Sequence, residues 1–467
     1  MRPPIHGEAR RNPADNALRR PLHRPGGDAV GCVHHYIWRR LMIHALATLA
    51  GIAGGSGRQL VTAGRLLSPG TLMRAHVSTR ATAIGTDGVT WQTFAGDAPR
   101  QQGSAQRLLI EGQRVNSIRN PRAEGGVNGL IGSTGTMPTN YSLTTVAGVS
   151  FERVGVVTVN GVTCLRLRIS GTATASASAF LFLETTTGIA AATGQTWTQS
   201  AFLRLQASAG AVPAVQVRPI SRTSAGAQLT AFSGTSRTLT AALTRFTATV
   251  TIADATTGAV QPTLAFPILT GTTYDATIDV GWPQMEQGGF ASTPIVPVVG
   301  VSVSSTRGAE LVTASLASLA IGGTGACTVL WGGIIPQSAG TAPQTLFQVD
   351  AGDGNRFILM NDAGGSSIVI ARSLAGSMVA ATAGAMVAGT AFRAGITLNG
   401  SGRAAASVNG AAAVAVTGGP TGGLTTLRLG NNAASDAAMF GEIRVLRVLS
   451  RAVSDNELSA WTAAPLD

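Results

Sequence analysis

The segments RLLIEGQRVNSIRNP (107–121) and WPQMEQGGFASTPI (282–295) bracket a block in which short strand-like runs follow one another. Within that block LRLRI (165–169) alternates strictly between apolar and charged side chains, which is the period of a strand with one buried face. Further runs of this kind recur without a helical pattern between them, and this indicates an antiparallel sandwich. Neither bracketing segment has the composition of an active site, and we predict that both are joints between domains.

The composition agrees with an all-β chain. At 467 residues the chain is long enough for two or three domains. Charged residues make up only 12%, aromatic residues 5%, and glycine occupies 59 positions. β-Branched residues suit a pleated sheet and glycine suits its turns, so many short strands are expected.

The net charge of +12 belongs mainly to the N-terminal region. All 34 basic residues are arginine. Residues 1–65 contain ten of them and only three acidic residues, Glu8, Asp15 and Asp28, which gives this region a net charge of +7. The rest of the chain is nearly balanced and lacks arginine clusters interleaved with aromatic residues, so the sequence does not predict a nucleic-acid-binding groove.

Histidine and cysteine chemistry is excluded from the β-rich blocks. The three cysteines, Cys32, Cys164 and Cys327, have neither metal-ligand nor disulfide-framework spacing, and the last two are expected to be small buried hydrophobes. All six histidines lie in the first 76 residues: His6, His23, His34, His35, His44 and His76. Ser–His–Asp and Cys–His catalysis therefore cannot be built from residues 77–467.

Residues 1–60 read as a basic arm that is either disordered or a short helix, and a mis-assigned start codon would also explain them. The apolar run 41–53 is too short to span a membrane, and its position does not fit a secretory signal. A membrane or export role and a basic arm that docks on an acidic particle are the alternatives.

Residues 61–119 form a predicted attachment or linker β module, with a hairpin turn at 85–88. Three motifs occur in order: MRAHVSTRATAIGTDG (73–88), DAPR (97–100) and LLIEGQRVN (108–116). They resemble a module of tail-fibre and head-spike proteins of phages and gene transfer agents. The chain departs from that pattern at Val115, where threonine is usual. The resemblance implies attachment and no catalysis.

Residues 120–295 resemble the jelly-roll carbohydrate-binding modules of secreted glycanases and phage structural proteins. In that family an early Asn…Glu motif and a late Asp help to hold a structural calcium ion. Glu124 and Asp279 occupy the matching positions, and the resemblance therefore implies calcium as the cofactor. The alternative is a solvated glutamate in a turn and an aspartate at a strand end.

Residues 296–467 end in MFGEIRVLRVLSRAVSDNELSAW (439–461), which predicts a strand followed by a closing helix. Ser454 is the expected N-cap, and Glu457 three residues later completes a capping box. The ending resembles the last strand and helix of concanavalin A-like (laminin-G-like) sandwiches. The expected fold is thus all-β, with two tandem antiparallel β-sandwich domains after the small N-terminal module.

Candidate sugar-binding residues are few. Aromatic rings and polar hydrogen-bonding groups on a rigid sheet are the usual way to hold a sugar. Tyr141 and Tyr274 flank polar residues and are predicted to reach a surface, whereas Trp197 and Trp331 lie in strands where core packing is expected. A single site would be weak, and many copies on one particle would compensate through avidity.

These features lead to one functional hypothesis with two alternatives. We predict a non-catalytic protein of a phage-like virion surface, a head spike or tail fibre. Its predicted partners are host cell-surface polysaccharide, other virion proteins and further copies of itself. A secreted bacterial carbohydrate-binding or adhesin protein is the first alternative. A polysaccharide-degrading enzyme is the second, and the sequence lacks the E-x-D-x-x-E spacing of glycanases on the concanavalin-like fold.

Overall fold

The strands of the N-terminal region are short. A computed structural model of the chain describes residues 58–62, 65–66, 74–76, 80–94 and 98–464, so most of the predicted arm (1–60) lies outside the described residues. The first strands are β1 (Arg58–Thr62), β2 (Arg65–Leu66), β3 (Arg74–His76), β4 (Thr82–Ile84), β5 (Trp91–Thr93), β6 (Gln101–Gln102), β7 (Arg107–Ile110) and β8 (Arg114–Asn116). In the described ranges, no helix has the length and apolar character needed to cross a membrane.

The block between the bracketing segments consists of strands, as predicted. They are β9 (Gly129–Leu130), β10 (Ser142–Leu143), β11 (Ser150–Val159), β12 (Val162–Thr172), β13 (Ala177–Phe182), β14 (Thr196–Ser208), β15 (Gln216–Val217), β16 (Ile220–Thr223), β17 (Gln228–Ala231), β18 (Thr244–Thr251), β19 (Thr257–Gln261), β20 (Thr263–Ile268) and β21 (Thr273–Gln287).

The C-terminal block has the remaining strands and one α-helix. The strands are β22 (Ser305–Arg307), β23 (Leu311–Ser315), β24 (Cys327–Ile334), β25 (Gln344–Asp350), β26 (Arg356–Asn361), β27 (Ser367–Leu374), β28 (Ser377–Ala385), β29 (Ala391–Leu398), β30 (Ala404–Val408), β31 (Val414–Val416), β32 (Thr426–Leu429) and β33 (Gly441–Leu449). A 3₁₀ turn spans Ala317–Leu319, and helix α1 spans Asp455–Ala463.

The first sandwich has a six-stranded antiparallel sheet in the order β18-β14-β21-β12-β11-β9. Opposite it lie a four-stranded sheet, β10-β13-β20-β15, and a three-stranded sheet, β17-β16-β19. Strand β12 sends Leu165, Leu167 and Ile169 into the core between the sheets, and it keeps Arg166 and Arg168 on the outer face. The alternation in LRLRI therefore sets the faces as predicted, and the expected antiparallel sandwich is confirmed.

The second sandwich includes strands from both ends of the described chain. One sheet runs β2-β1-β33-β24-β29-β30-β31, with β7 also paired to β33 and β6 paired to β7. The other runs β28-β27-β26-β25-β32-β23-β3. Strands β3 and β7, expected in a separate module at 61–119, and β1, which begins in the predicted arm (1–60) and ends in that module, instead pair with strands of the C-terminal sandwich. The C-terminal block leaves the edges of β33 and β23 open, and these strands cover them.

The jelly roll is therefore an insertion in the second sandwich. The chain leaves that sandwich through β8 and returns through β22, and these two strands pair antiparallel, with Val115 opposite Thr306. Entry and exit of the inserted domain thus lie side by side, which is the arrangement that lets one domain be inserted into another without disturbing either core.

The ending of the chain folds as predicted, with one difference. The hydroxyl of Ser454 accepts a hydrogen bond from the Glu457 backbone N–H at 3.2 Å and caps helix α1. The Glu457 carboxylate, however, accepts from the guanidinium of Arg451 at 2.7 Å. The Glu457 carboxylate, which would accept from the N-cap backbone N–H in a complete capping box, is therefore paired with an arginine of the connection between β33 and the helix.

Candidate functional site

The two tyrosines proposed to bind sugar belong to the core of the jelly roll. Tyr141 is 8% exposed and Tyr274 is 4% exposed, and both pack in the cluster between the sheets. The Tyr141 hydroxyl donates to the carbonyl of Asn120 at 2.9 Å, and the Tyr274 hydroxyl accepts from the Leu269 N–H at 2.9 Å. The expectation that these rings reach a surface was wrong, because neighbouring backbone groups satisfy their hydroxyls inside the fold.

The proposed calcium ligands have other partners. Asp279 is fully buried, and its two carboxylate oxygens accept from Arg166 at 2.8 and 3.0 Å and from Arg204 at 2.7 Å. The Glu124 carboxylate accepts from the Gly300 N–H at 2.8 Å. Over the described ranges, no three His, Cys, Asp or Glu side chains are grouped to hold a metal ion. Calcium binding by this pair stays a prediction, and a cation at Asp279 would have to displace two guanidinium groups.

The two bracketing segments meet in a buried network at the joint between the sandwiches. Arg100, from the DAPR motif, donates to both carboxylate oxygens of Glu310 at 2.7 and 2.6 Å, and all of its side chain is buried. Glu111 lies 2.9 Å from Arg100 and 2.9 Å from Arg307. The Thr293 hydroxyl donates to Glu111 at 2.5 Å. Two cations and two anions are thus enclosed together, each with hydrogen-bond partners.

Electrostatics in this network favours ionised carboxylates. Burial would raise the pKa of Glu111, but the charges of Arg307 and Arg100 and the hydrogen bonds from Thr293 outweigh it and lower the pKa to about 2. Glu111 therefore remains charged at neutral pH although it is buried, and it holds both arginines in place.

A second part of the joint uses aromatic rings. The guanidinium of Arg114 lies 4.8 Å from the ring centroid of Phe290 and 4.8 Å from that of Phe440. Asn116 donates from its amide to the carbonyls of Pro283 and Ile295 at 3.2 and 3.1 Å. The segments 108–116 and 283–295, which we predict to be joints, are thus held together by hydrogen bonds, and the polar residues that form them are structural.

The outer face of the six-stranded sheet presents arginines that are paired with carboxylates. Arg166 and Arg204 flank Asp279 from the two neighbouring strands, and Arg168 forms a two-point pair with Asp275 at 3.0 and 3.2 Å. We call these five residues the paired face. Each of its three arginines has an aspartate partner inside the sheet, so it offers little unsatisfied hydrogen-bonding capacity to a ligand.

The outer face of the four-stranded sheet is different. On β13, Ala179 and Leu181 point into the core, and Phe180 and Phe182 therefore lie on the outside, where both rings are partly exposed. Their ring centroids are 6.0 Å apart, with 24° between the ring planes. The guanidinium carbons of Arg218 and Arg222 lie 5.8 Å from the Phe180 and Phe182 centroids, respectively. We call these four residues the Phe–Arg strip.

The two arginines of the strip differ in how they are fixed. Arg222 is held by Gln261, whose side-chain oxygen accepts at 2.7 Å, and by the Gly226 carbonyl at 2.9 Å. Burial lowers its pKa. For the guanidinium of Arg218, the described residues provide the Phe180 ring but neither a hydrogen-bond acceptor nor a carboxylate, and its Nε is buried without a partner. The strip therefore combines two aromatic rings with two guanidinium groups that lack acidic partners.

Sequence reasoning missed this site although a signal was present. The run ASAFLF (177–182) places phenylalanines two residues apart, which is the spacing of one strand face. The arginines come from β16 and from the residue after β15. Nothing in their local sequence indicates that the fold brings them over those rings.

Comparisons with known proteins do not identify a family for this chain. No family model and no curated protein matches the chain. Among solved structures, the chain is similar to β-sandwich carbohydrate-binding modules. One is the CBM40 of the Ruminococcus gnavus IT-sialidase bound to α2,6-sialyllactose, at 16% identity over 29% of this chain and 82% of that chain, with a TM-score of 0.24. Another is the CBM22-1–CBM22-2 tandem of Paenibacillus barcinonensis Xyn10C, at 10% identity over 71% and 98%, also with a TM-score of 0.24. At these TM-scores neither likeness carries an argument about a ligand.

Proposed function

We propose that this chain is a non-catalytic carbohydrate-binding protein of a phage-like virion surface, a head spike or tail fibre, and that it binds host cell-surface polysaccharide through the Phe–Arg strip. The observation that carries the proposal is the strip itself, in which the partly exposed aromatic rings of β13 lie next to the guanidinium groups of Arg218 and of Arg222 from the neighbouring three-stranded sheet. Sugars offer apolar C–H faces that pack on aromatic rings and hydroxyl groups that accept hydrogen bonds from arginine.

The neighbourhood of the strip supports a polar ligand. Gln216 lies in the same row of the sheet as Phe180, because both are paired with Ala265 on the strand between them. Its side-chain nitrogen donates to the Ser236 hydroxyl at 2.8 Å, which fixes the amide at the strip's edge. Ser142, opposite Phe182 in the register, is exposed. Neutral hydrogen-bonding groups thus border the rings on both sides.

The hydrogen-bond partners of two buried carboxylates in the jelly roll support a role without catalysis. A glycoside hydrolase needs two convergent carboxylates about 5–9.5 Å apart, one of which must be able to give up or take a proton. In the jelly roll, Asp279 accepts from two arginines and Glu184 forms a two-point pair with Arg119. Carboxylates that are committed to guanidinium groups in this way are poor general acids.

The virion part of the proposal depends on the three ordered motifs between residues 73 and 116. Mass spectrometry of purified particles from the source strain would test it: the protein should be found with the particles. Its recovery from the culture medium without particles would favour the alternative, a secreted carbohydrate-binding or adhesin protein.

Self-association of the protein is part of the proposal, and an exposed sheet edge supports it. Strand β9 pairs only with Glu152 and Arg153 of β11, and on that side of β11 the described chain has no strand beyond residue 153, whereas the other side is paired with β12. Val154 and Val156 on this edge are 43% and 41% exposed. Folded proteins usually protect such uncharged edges. Light scattering should therefore find an oligomer that Val156→Lys dissociates; a monomeric parent protein would contradict this.

Binding is tested with the double variant Phe180→Ala/Phe182→Ala. Immobilised host polysaccharide should retain the parent protein, and we expect the variant to bind about tenfold more weakly, because loss of stacking removes on the order of 1–2 kcal/mol. Leu269→Ala is the matched control: it truncates an apolar side chain that is 61% exposed in the same domain but outside the strip. Equal retention of both variants would contradict the site, and no retention of the parent on any glycan would contradict the function.

A further inference from the structure

We infer that the Phe–Arg strip selects saccharides that carry a carboxylate, such as uronic or sialic acid residues, and that Arg218 is the group that recognises the acid. This inference rests on the proposed function, since it names the class of sugar that the same surface would take. It is carried by the charge balance of the strip and by the lack of hydrogen-bond acceptors around Arg218.

The two terminal amino groups of Arg218 are available to a ligand, whereas its Nε is buried. The guanidinium carbon lies 5.8 Å from the Phe180 ring centroid, and the group is bound to no side-chain or backbone acceptor of the described chain. A guanidinium group presents five N–H donors in a planar fork that matches a carboxylate at two points. The terminal amino groups of Arg218 lie near an aromatic ring with their donors unused, and they can therefore receive a carboxylate.

The charge near the strip is not balanced by the protein. The backbone carbonyl of Glu184 accepts from the Gln261 amide, which in turn is bound to Arg222, so Glu184 is the acid linked most directly to the strip. Both of its carboxylate oxygens, however, accept from Arg119. Asp254 accepts a hydrogen bond from the Ser221 hydroxyl. Ser221 and Arg222 are consecutive on β16, so their side chains point to opposite faces of the sheet and Asp254 is on the side away from Arg222. Arg218 and Arg222 therefore leave the strip with a positive charge that an acidic ligand would neutralise.

The paired face shows what the same domain does when arginine has a structural role. There each of Arg166, Arg168 and Arg204 is placed against an aspartate on the neighbouring strand. The strip has the same residue type on the opposite outer face, but with aromatic rings in place of the aspartates. Rings hold a guanidinium without neutralising it, which leaves its charge for a partner.

The test compares each acidic polysaccharide with its own carboxyl-reduced form, in which every uronic acid has become the neutral sugar. Alginate, hyaluronan and polygalacturonate are the probes, immobilised for biolayer interferometry with the full-length protein. We expect at least one acidic polymer to bind about tenfold more tightly than its reduced form, since a charge-assisted hydrogen bond contributes on the order of 1.5–3 kcal/mol. Arg218→Gln should abolish this preference while binding to the reduced polymer persists.

Arg168→Gln is the control, because it removes one positive charge from the opposite face and keeps Phe180 and Phe182 intact. Equal binding of acidic and reduced polymers would overturn the inference and leave carbohydrate binding in place, whereas binding to neither would overturn both. A preference that survives Arg218→Gln, or that falls equally in Arg168→Gln, would also overturn the assignment to Arg218. Thermal unfolding of both variants checks that each is folded.

Discussion

Two groups of arginines in this protein have opposite surroundings. At the joint, Arg100 and Arg307 are fully buried and lie against Glu111 and Glu310 at 2.6–2.9 Å. On the strip, Arg218 and Arg222 lie over aromatic rings and have no acidic partner among the residues that the structure describes. The residue type is the same, but the described protein gives acidic partners to the first group and none to the second.

Because of this difference, substitutions in the two groups should affect different properties, namely folding stability at the joint and ligand affinity on the strip. A buried charge that loses its partner is very costly, so a change at the joint should act on folding. Arg218 has neither an acid nor a hydrogen-bond acceptor among the described residues and contributes little to folding, so a change at Arg218 should act on ligand affinity. Variants of the two regions should therefore have effects that do not overlap, and this can be measured.

The largest expected effect is that of Glu310→Gln at the joint. The substitution keeps the shape of the side chain but leaves Arg100 and Arg307 with a single carboxylate between them. We expect the free energy of unfolding to fall by about 3–5 kcal/mol, as when one partner of a buried ion pair is removed. Urea unfolding followed by fluorescence of the buried tryptophans would measure it.

Polysaccharide binding provides the second readout of this variant. At a temperature where Glu310→Gln is still folded, its affinity should equal that of the parent, because the strip is on another face. Arg168→Gln, which breaks a solvent-exposed pair, should hardly move the urea midpoint. A stability loss in Glu310→Gln no larger than that in Arg168→Gln would show that the joint is not the stabilising element we describe.

A smaller effect is expected from pH, through Glu111. Its pKa is lowered from 4.5 to about 2 in the folded protein, so the folded state holds the ionised form more strongly than the unfolded state does. The stability that this carboxylate contributes is therefore fully present above about pH 4.5 and is lost as the pH falls towards about 2.

The measurement is the difference in unfolding free energy between the parent and Glu111→Gln at several pH values. The difference should be constant from pH 7 to about 5 and should then shrink as the pH falls through the range between the two pKa values. A difference that grows on acidification would mean that the folded protein raises the pKa of Glu111, contrary to the network.

Much of the fold follows from the sequence because it is encoded locally. The alternation in 165–169, the N-cap Ser454 and the apolar runs around Cys164 and Cys327 depend on neighbours in the chain, and the structure confirms each of them. Both cysteines are buried, and burial raises the pKa of each thiol to about 12. Period and capping are properties of a few consecutive residues, so a single sequence suffices to recognise them.

The rest depends on pairings across the whole chain. Nothing near residue 107 indicates that β7 will pair with β33, more than 300 positions later, and the local sequence therefore predicts a separate module for the N-terminal strands. The same limit applies to the site. The polar neighbours of Tyr141 and Tyr274 predict exposed rings, but the fold buries both of them. The strip combines rings on β13 with arginines that follow almost 40 residues later, so no local pattern predicts it.

The smallest expected effect concerns calcium, and it also tests the paired face. Asp279 is surrounded by Arg166 and Arg204, so a cation would bring its own charge next to two guanidinium groups and would have to displace them from the carboxylate. We therefore expect the thermal midpoint to be the same in millimolar calcium and in chelator. A midpoint that rises with calcium, and that no longer responds in Asp279→Asn, would restore the calcium site predicted from the sequence. It would also show that a cation can break the ion pairs of Asp279 with Arg166 and Arg204 on the paired face.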